Sequence, residues 1–226
     1  MTGRREHAST VAEPAVAPAS PGPEPSHIGA RLRQRREQAG LSLRDLAGRI
    51  GVSASLISQI ERDKVNPSVS TLWALVRELG FTMGELFAVD DPPRPDGPTR
   101  AGVVVESRAV TPDGRAVINL ASGVTWERLT AASDPTVEFL RVVYDVGSES
   151  CPEDSLVHHG GKEYGYVISG RLGVRVGFDE YDLGPGHSIS FDASSPHRLW
   201  AIGSQPAEVI WAVVGRQGDS RAGSMF

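Results

Sequence analysis

Cysteine is almost missing from this 226-residue sequence: Cys151 stands alone, so no internal disulfide can form. That usage fits a reducing compartment, expected here to be the cytoplasm. With no activating neighbour, Cys151 reads as a passive small residue. No apolar run approaches the roughly 20 residues that a membrane-spanning helix needs. The first 26 residues, MTGRREHASTVAEPAVAPASPGPEPS, hold two early arginines but no continuous apolar core, which argues against a secretory signal. Also missing are a phosphate-cradling glycine loop, a nucleophile elbow and cysteine pairs for structural zinc, so the enzyme and finger classes built on them are set aside. There is no internal repeat.

What is present divides unevenly. Residues 27–87 carry nine Lys/Arg against six Asp/Glu, whereas residues 88–226 carry twelve against nineteen. A basic first part beside an acidic second part suggests that only the first meets a polyanion. Pro, Ala and Ser make residues 1–26 read as a disordered arm. The segment AVDDPPRPDGPTRAG, with Pro92, Pro93, Pro95 and Pro98, excludes a continuous helix and marks residues 88–102 as a linker. Residues 216–226 read as a flexible tail. Apolar residues recur at helical spacing before the linker. After it, short β-branched runs such as VVV, VEFLRVVYDV and LGVRVGF are punctuated by glycine. The expectation is an all-α domain over 27–87 and an all-β domain over 103–215.

In the helical part, a first helix is expected over Ile28 to Gln38, stopped by Gly40. Ser42 should cap a second helix closed by Gly51, and Ser53 a third carrying Leu56, Ile57 and Ile60. Ser70 is the expected cap of a fourth, TLWALVRELG, and TMGELF adds a last turn. Only GVS joins the second helix to the third, the spacing of a helix-turn-helix. The stretch LSLRDLAGRIGVSASLISQIERDKVNPSVSTLWALVRELG resembles the phage-repressor-type DNA-binding domain (XRE, Cro/CI-like, the lambda-repressor fold). That resemblance implies a third helix in the DNA major groove with its N-terminal residues on base edges. Ser53, Ala54, Ser55, Ser58 and Gln59 then face the DNA. Gln59 is the best reader, because its amide can bond an adenine edge twice. Arg44, Lys64 and Asn66 are candidates for the phosphate backbone. Arg31, Arg33 and Arg35 read equally as a solvated helix face. Arg36 and Glu61 match family positions that pair to lock the first helix to the third, so Glu61 is expected to be structural.

In the β part, LVHHGGKEYGYVISG and GHSISFDASSPHRLW resemble the two motifs of a cupin, a small double-stranded β-helix or jelly-roll barrel. Counting back from Glu163 puts His159 at the family's second histidine and Val157 at its first. His158 is out of register, since strand neighbours point to opposite faces, and could return only through a bulge. His197 takes the third histidine's place, and His187 reads as surface. The resemblance thus leaves His159, Glu163 and His197 as candidate ligands for Fe, Zn, Mn or Ni, with open positions for a ligand. No cofactor is required by the sequence, because the same barrel could bind an organic effector with both histidines as hydrogen-bonding groups. Tyr164, Tyr166 and Trp200 are candidates to line that pocket, or else to fill core.

Helix-turn-helix first and cupin second resembles a family of small bacterial transcriptional regulators. The implied partners are double-stranded DNA bearing an inverted repeat, an unidentified small-molecule effector, and a second copy joined through the cupin. A purely structural cupin that only dimerises the DNA-binding head is a further reading, and the resemblance offers one main rival. A phosphonate epoxidase shares this domain order and holds iron with two His and one Glu, so a non-haem iron oxidase is the alternative. The intact reading helix favours the regulator.

Overall fold

The computed structural model describes residues 28–80, 83–87, 109–134 and 136–215. The expected arm, linker and tail, and the VVV run, lie outside the described residues. Among the described residues five helices form the head: α1 (Gly29–Gln38), α2 (Leu43–Ile50), α3 (Ala54–Ile60), α4 (Val69–Leu79) and α5 (Met83–Phe87). The local chemistry sets their ends. Ser42 accepts from the Asp45 amide while Asp45 bonds back to the Ser42 amide, a reciprocal capping box. Gly51 closes α2 in the left-handed region at φ 75°, which a side chain would resist. Ser53 caps α3 through the Leu56 amide. For α4 the cap is Ser68, not Ser70: the Ser68 hydroxyl accepts from the Thr71 amide at 3.1 Å, and Ser70 already lies in the first turn. The serine that sits three residues before a free helix amide wins, whichever serine opens the apolar run.

Leu32, Leu46, Ile57, Ile60, Leu72 and Leu75 fill the head's core. Buried among them, Arg36 grips Glu61 with two bonds of 2.6 and 3.0 Å and gives a third, at 2.8 Å, to the Leu41 carbonyl. This is the expected α1–α3 lock. The other α1 arginines are less free than a solvated face. Arg35 binds the Glu85 carboxylate at 2.6 Å and Arg31 the Glu85 carbonyl, which ties α1 to α5, while Arg33 pairs with Glu37.

Among the described residues nine strands follow: β1 (Val117–Asn119), β2 (Val124–Arg128), β3 (Val137–Tyr144), β4 (Lys162–Ser169), β5 (Leu172–Val176), β6 (Asp179–Leu183), β7 (Ser188–Asp192), β8 (His197–Ala201) and β9 (Ala207–Val214). They pair antiparallel into a six-stranded sheet, β1-β2-β3-β9-β4-β7, and a three-stranded sheet, β6-β5-β8. Burial alternates along β2, β4, β8 and β9, so each strand has one wet and one dry face. The dry faces meet, with Glu163 of the large sheet reaching His197 of the small one. No described helix is long and apolar enough to cross a membrane.

Head and barrel touch. The Ala121 amide donates to the Pro67 carbonyl at 2.9 Å. The indole of Trp73, on α4, lies 5.7 Å from that of Trp126 on β2.

Candidate functional site

The first site is a surface. With Ile57 and Ile60 turned into the core, α3 leaves Ser53 and Ser55 exposed and Ala54, Ser58 and Gln59 half-buried. Arg44, Lys64 and Asn66 stand exposed around it. A hydroxyl that accepts the Leu56 amide keeps its own proton to donate, so capping by Ser53 leaves it able to bond an acceptor. Glu61 faces the core instead, only 8% exposed and committed to Arg36. These side chains carry the donors and acceptors that groove and phosphate contacts use.

The second site is inside the barrel. His159, Glu163 and His197 bring their ligand atoms within 4.8 Å of one another. His159 Nε2 is 2.8 Å and His197 Nε2 3.6 Å from Glu163 Oε1. Each ring's Nδ1 faces a backbone carbonyl, Gly160 at 3.0 Å and Ser195 at 2.9 Å, and donates its proton there. In the neutral rings the bare Nε2 lone pairs therefore turn toward the carboxylate. Three acceptors facing one point need a positive species between them. A proton on His159 satisfies one contact; a divalent cation satisfies all three, so the donor set fits a metal. The remaining carboxylate oxygen, Oε2, takes the Trp211 indole proton at 3.0 Å. Burial pushes the Glu163 carboxyl up, but when His159 and His197 carry a proton the His159 bond, their charge and the Trp211 bond outweigh it and hold the group below its ordinary range.

Strand register explains which groups arrive here. Val157 and His197 are bridge partners bonded both ways, at 3.1 and 2.8 Å, so the valine side chain shares the face of His197. It stands as an apolar wall where the cupin pattern has a further histidine. His158 is exposed, as the alternation requires, and so is His187.

The aromatic expectations need correcting. Tyr164 and Tyr166 alternate with inward Glu163 and Gly165, and they emerge on the outer face, 44% and 50% exposed. Trp200 differs in parity from inward His197, Leu199 and Ala201, and it lies outside against Gly173 with the Arg198 guanidinium 4.7 Å over its ring. None of the three lines the interior. Among the described strand residues, the aromatics that face inward are Trp126, Tyr144, Phe191 and Trp211. Phe191 is the cross-strand partner of Glu163, and its ring centroid lies 5.2 Å from that of His197 with the planes tilted by 55°. Burial first, and the Glu163 charge second, push the Tyr144 phenol far up. Trp211 can lie beside Glu163 because Gly165 opposite it has no side chain; a Cβ there would fall 2.1 Å from the indole. Alternation from Glu163, plus a glycine facing a tryptophan, is the sequence signal that points to them. Cys151 is buried against the His197 carbonyl at 3.7 Å, and burial raises its thiol, in keeping with a passive role.

Two family profiles match the chain, a helix-turn-helix over residues 32–86 and a cupin domain over residues 140–213. The HTH-type transcriptional regulator PuuR of Escherichia coli is 30% identical over 169 residues, which cover 75% of this chain and 84% of PuuR. This chain belongs to the HTH-type transcriptional regulators. A second E. coli regulator, SutR, is 26% identical over 170 residues, covering 75% of this regulator and 84% of its own length. The crystal structure of a helix-turn-helix family transcriptional regulator from Vibrio cholerae superposes with a TM-score of 0.56 at 24% identity, over 84% of this chain and 95% of that one. That likeness shows the shared fold: helical head, then cupin.

Proposed function

We propose that this regulator binds an inverted-repeat operator as a homodimer and that a small molecule entering its cupin controls that binding. The observation that carries the reading is the pairing of an exposed, polar α3 face with a buried His159–Glu163–His197 cluster in one chain. Ser53, Ala54, Ser55, Ser58 and Gln59 read or approach bases, and Arg44, Lys64 and Asn66 hold phosphates. His159, Glu163 and His197 hold a divalent ion, Fe, Zn, Mn or Ni, which supplies open coordination positions for the effector. Such a role places the protein in the cytoplasm, with the genome.

Support for the dimer comes from the outer face of the large sheet. Register sets Tyr164 beside Ala212, with Phe139 on that residue's other side, and Tyr166 beside Ile210, with the ion-paired Arg141 and Glu208 flanking these residues on β3 and β9. An apolar centre with a charged border is the make-up of a protein interface. Two heads related by a twofold axis would present their third helices about 34 Å apart, to half-sites one turn apart.

Footprinting on the DNA flanking its own gene tests the regulator reading: protection is expected, and Gln59→Ala should change the preferred sequence. Elemental analysis of protein made without a His-tag tests the ion, which His159→Ala should abolish; an ion-free wild type would leave a purely organic effector. The same three side chains support a second reading, a non-haem iron oxidase. Oxygen consumption by the iron-loaded protein with a candidate substrate would favour it.

A further inference from the structure

Helix α4 buries Leu72, Leu75, Val76 and Leu79 in the head, and a lone tryptophan, Trp73, leaves that face. Its indole reaches the barrel. There it stacks on the imidazole of His159, with centroids 5.3 Å apart and planes at 29°, and leans on inward-facing Trp126 at 5.7 Å. His159 in turn meets His197 edge-on at 5.1 Å and bonds Glu163 at 2.8 Å. One side chain of the DNA-binding head is therefore in direct contact with the ligand-bearing cluster. The adjoining backbone bond from Ala121 to Pro67 anchors the start of the same helix. All the while Ser53 and Ser55 on α3 stay exposed, so docking does not cover the reading surface.

We propose that Trp73 is a latch, which holds the head in a fixed pose on the barrel and makes that pose depend on the state of His159. The inference rests on the regulator reading above and names how its cupin site reaches the DNA. With both heads of a dimer latched, the two reading helices keep one spacing, so the second half-site is bound at high effective concentration. His159, held by a metal, would be fixed beneath the indole, and the latch would tighten. An organic ligand that takes the face of His159 must displace the indole, and it frees the head. The ligand acts only through its different affinity for the latched and free states, as linkage requires.

The test compares the full-length protein with Trp73→Ala and Trp73→Phe on two duplexes, one with both half-sites and one with a single half-site. Trp73→Ala should lower two-site affinity by about tenfold or more, the scale of a lost effective concentration, and leave single-site affinity unchanged. Trp73→Phe, which keeps a ring, should restore most of it. Adding Zn(II) after chelation should raise two-site affinity in the wild type and do nothing in Trp73→Ala. In 5-fluorotryptophan protein, the ¹⁹F line that Trp73→Phe deletes should shift in His159→Ala; this readout needs no DNA and reports on folded protein directly. An equal two-site to single-site ratio in wild type and Trp73→Ala overturns the latch and spares the regulator reading. So does a zinc response that is absent from both proteins or equal in both. A wild type that prefers no duplex defeats the regulator reading and the latch's regulatory role together, even if the ¹⁹F line still shifts.

Discussion

Breaking the buried pair between α1 and α3 separates fold from recognition. Arg36 and Glu61 are each 8% exposed, and burial of either alone strands a charge. The pair's hydrogen bonds hold the Arg36 guanidinium even more firmly protonated than usual, so it cannot escape by neutralising. Arg36→Met leaves Glu61 buried without its partner, at a cost of about 3–5 kcal/mol. A head of ~60 residues has roughly 3–9 kcal/mol in total at 0.05–0.15 kcal/mol per residue. The single variant should therefore lose most of the head's stability. Arg36→Met with Glu61→Leu removes both charges and, apart from about 1 kcal/mol for the lost bond to Leu41, should come close to wild type. Urea unfolding followed by helical circular dichroism measures this in the full-length protein. Because the pair faces the core and not the groove, the double variant should also keep the wild-type sequence preference. An Arg36→Met protein as stable as wild type, or a double variant as damaged as the single, refutes the reasoning.

Three further outcomes follow from the barrel. Gly165→Ala drives a methyl into the Trp211 ring and should cost about 1–3 kcal/mol, seen as a Tm lower by several degrees; an unchanged Tm means the indole has room. Tyr166→Asp, on the outer sheet face, should turn the proposed dimer into monomers in analytical ultracentrifugation while circular dichroism shows the barrel still folded, whereas persistent dimers would move the interface elsewhere. The hydrogen bond from Arg141 outweighs burial and holds the Glu208 carboxyl below its ordinary 4.5. The stability it gives is full above that pH and is lost as pH falls through the lower folded value, so Glu208→Gln should flatten the acid limb of a Tm–pH curve.

How much of this was legible in the sequence depended on how local the cause was. Ser42, Gly51 and Ser53 end helices through bonds to residues three or four away, so spacing alone found them. Ser68 is not legible as the cap from spacing, because two serines stand within three positions and the choice turns on which amide lacks a partner. Two-residue alternation put His159 inside and His158 outside. The same rule, carried one residue past Glu163, excludes Tyr164 and Tyr166 from the interior. The cluster's other neighbours needed information that no single strand holds. Trp211 faces Glu163 only because β9 pairs with β4 in a register that sets it opposite Gly165, and Trp73 meets His159 only through the packing of head on barrel. Trp73 stands off the apolar face of α4, but a single aromatic so placed is ordinary and does not by itself point to a partner.

The account stands most directly on whether α3 tells one DNA sequence from another. A competition titration of the full-length protein, at fixed salt, between a duplex from its own flanking DNA and random duplex measures that preference. The account predicts roughly 10³-fold or more in favour of the specific site, and a much smaller ratio for Gln59→Ala. Equal affinity for both duplexes in the wild type would contradict it.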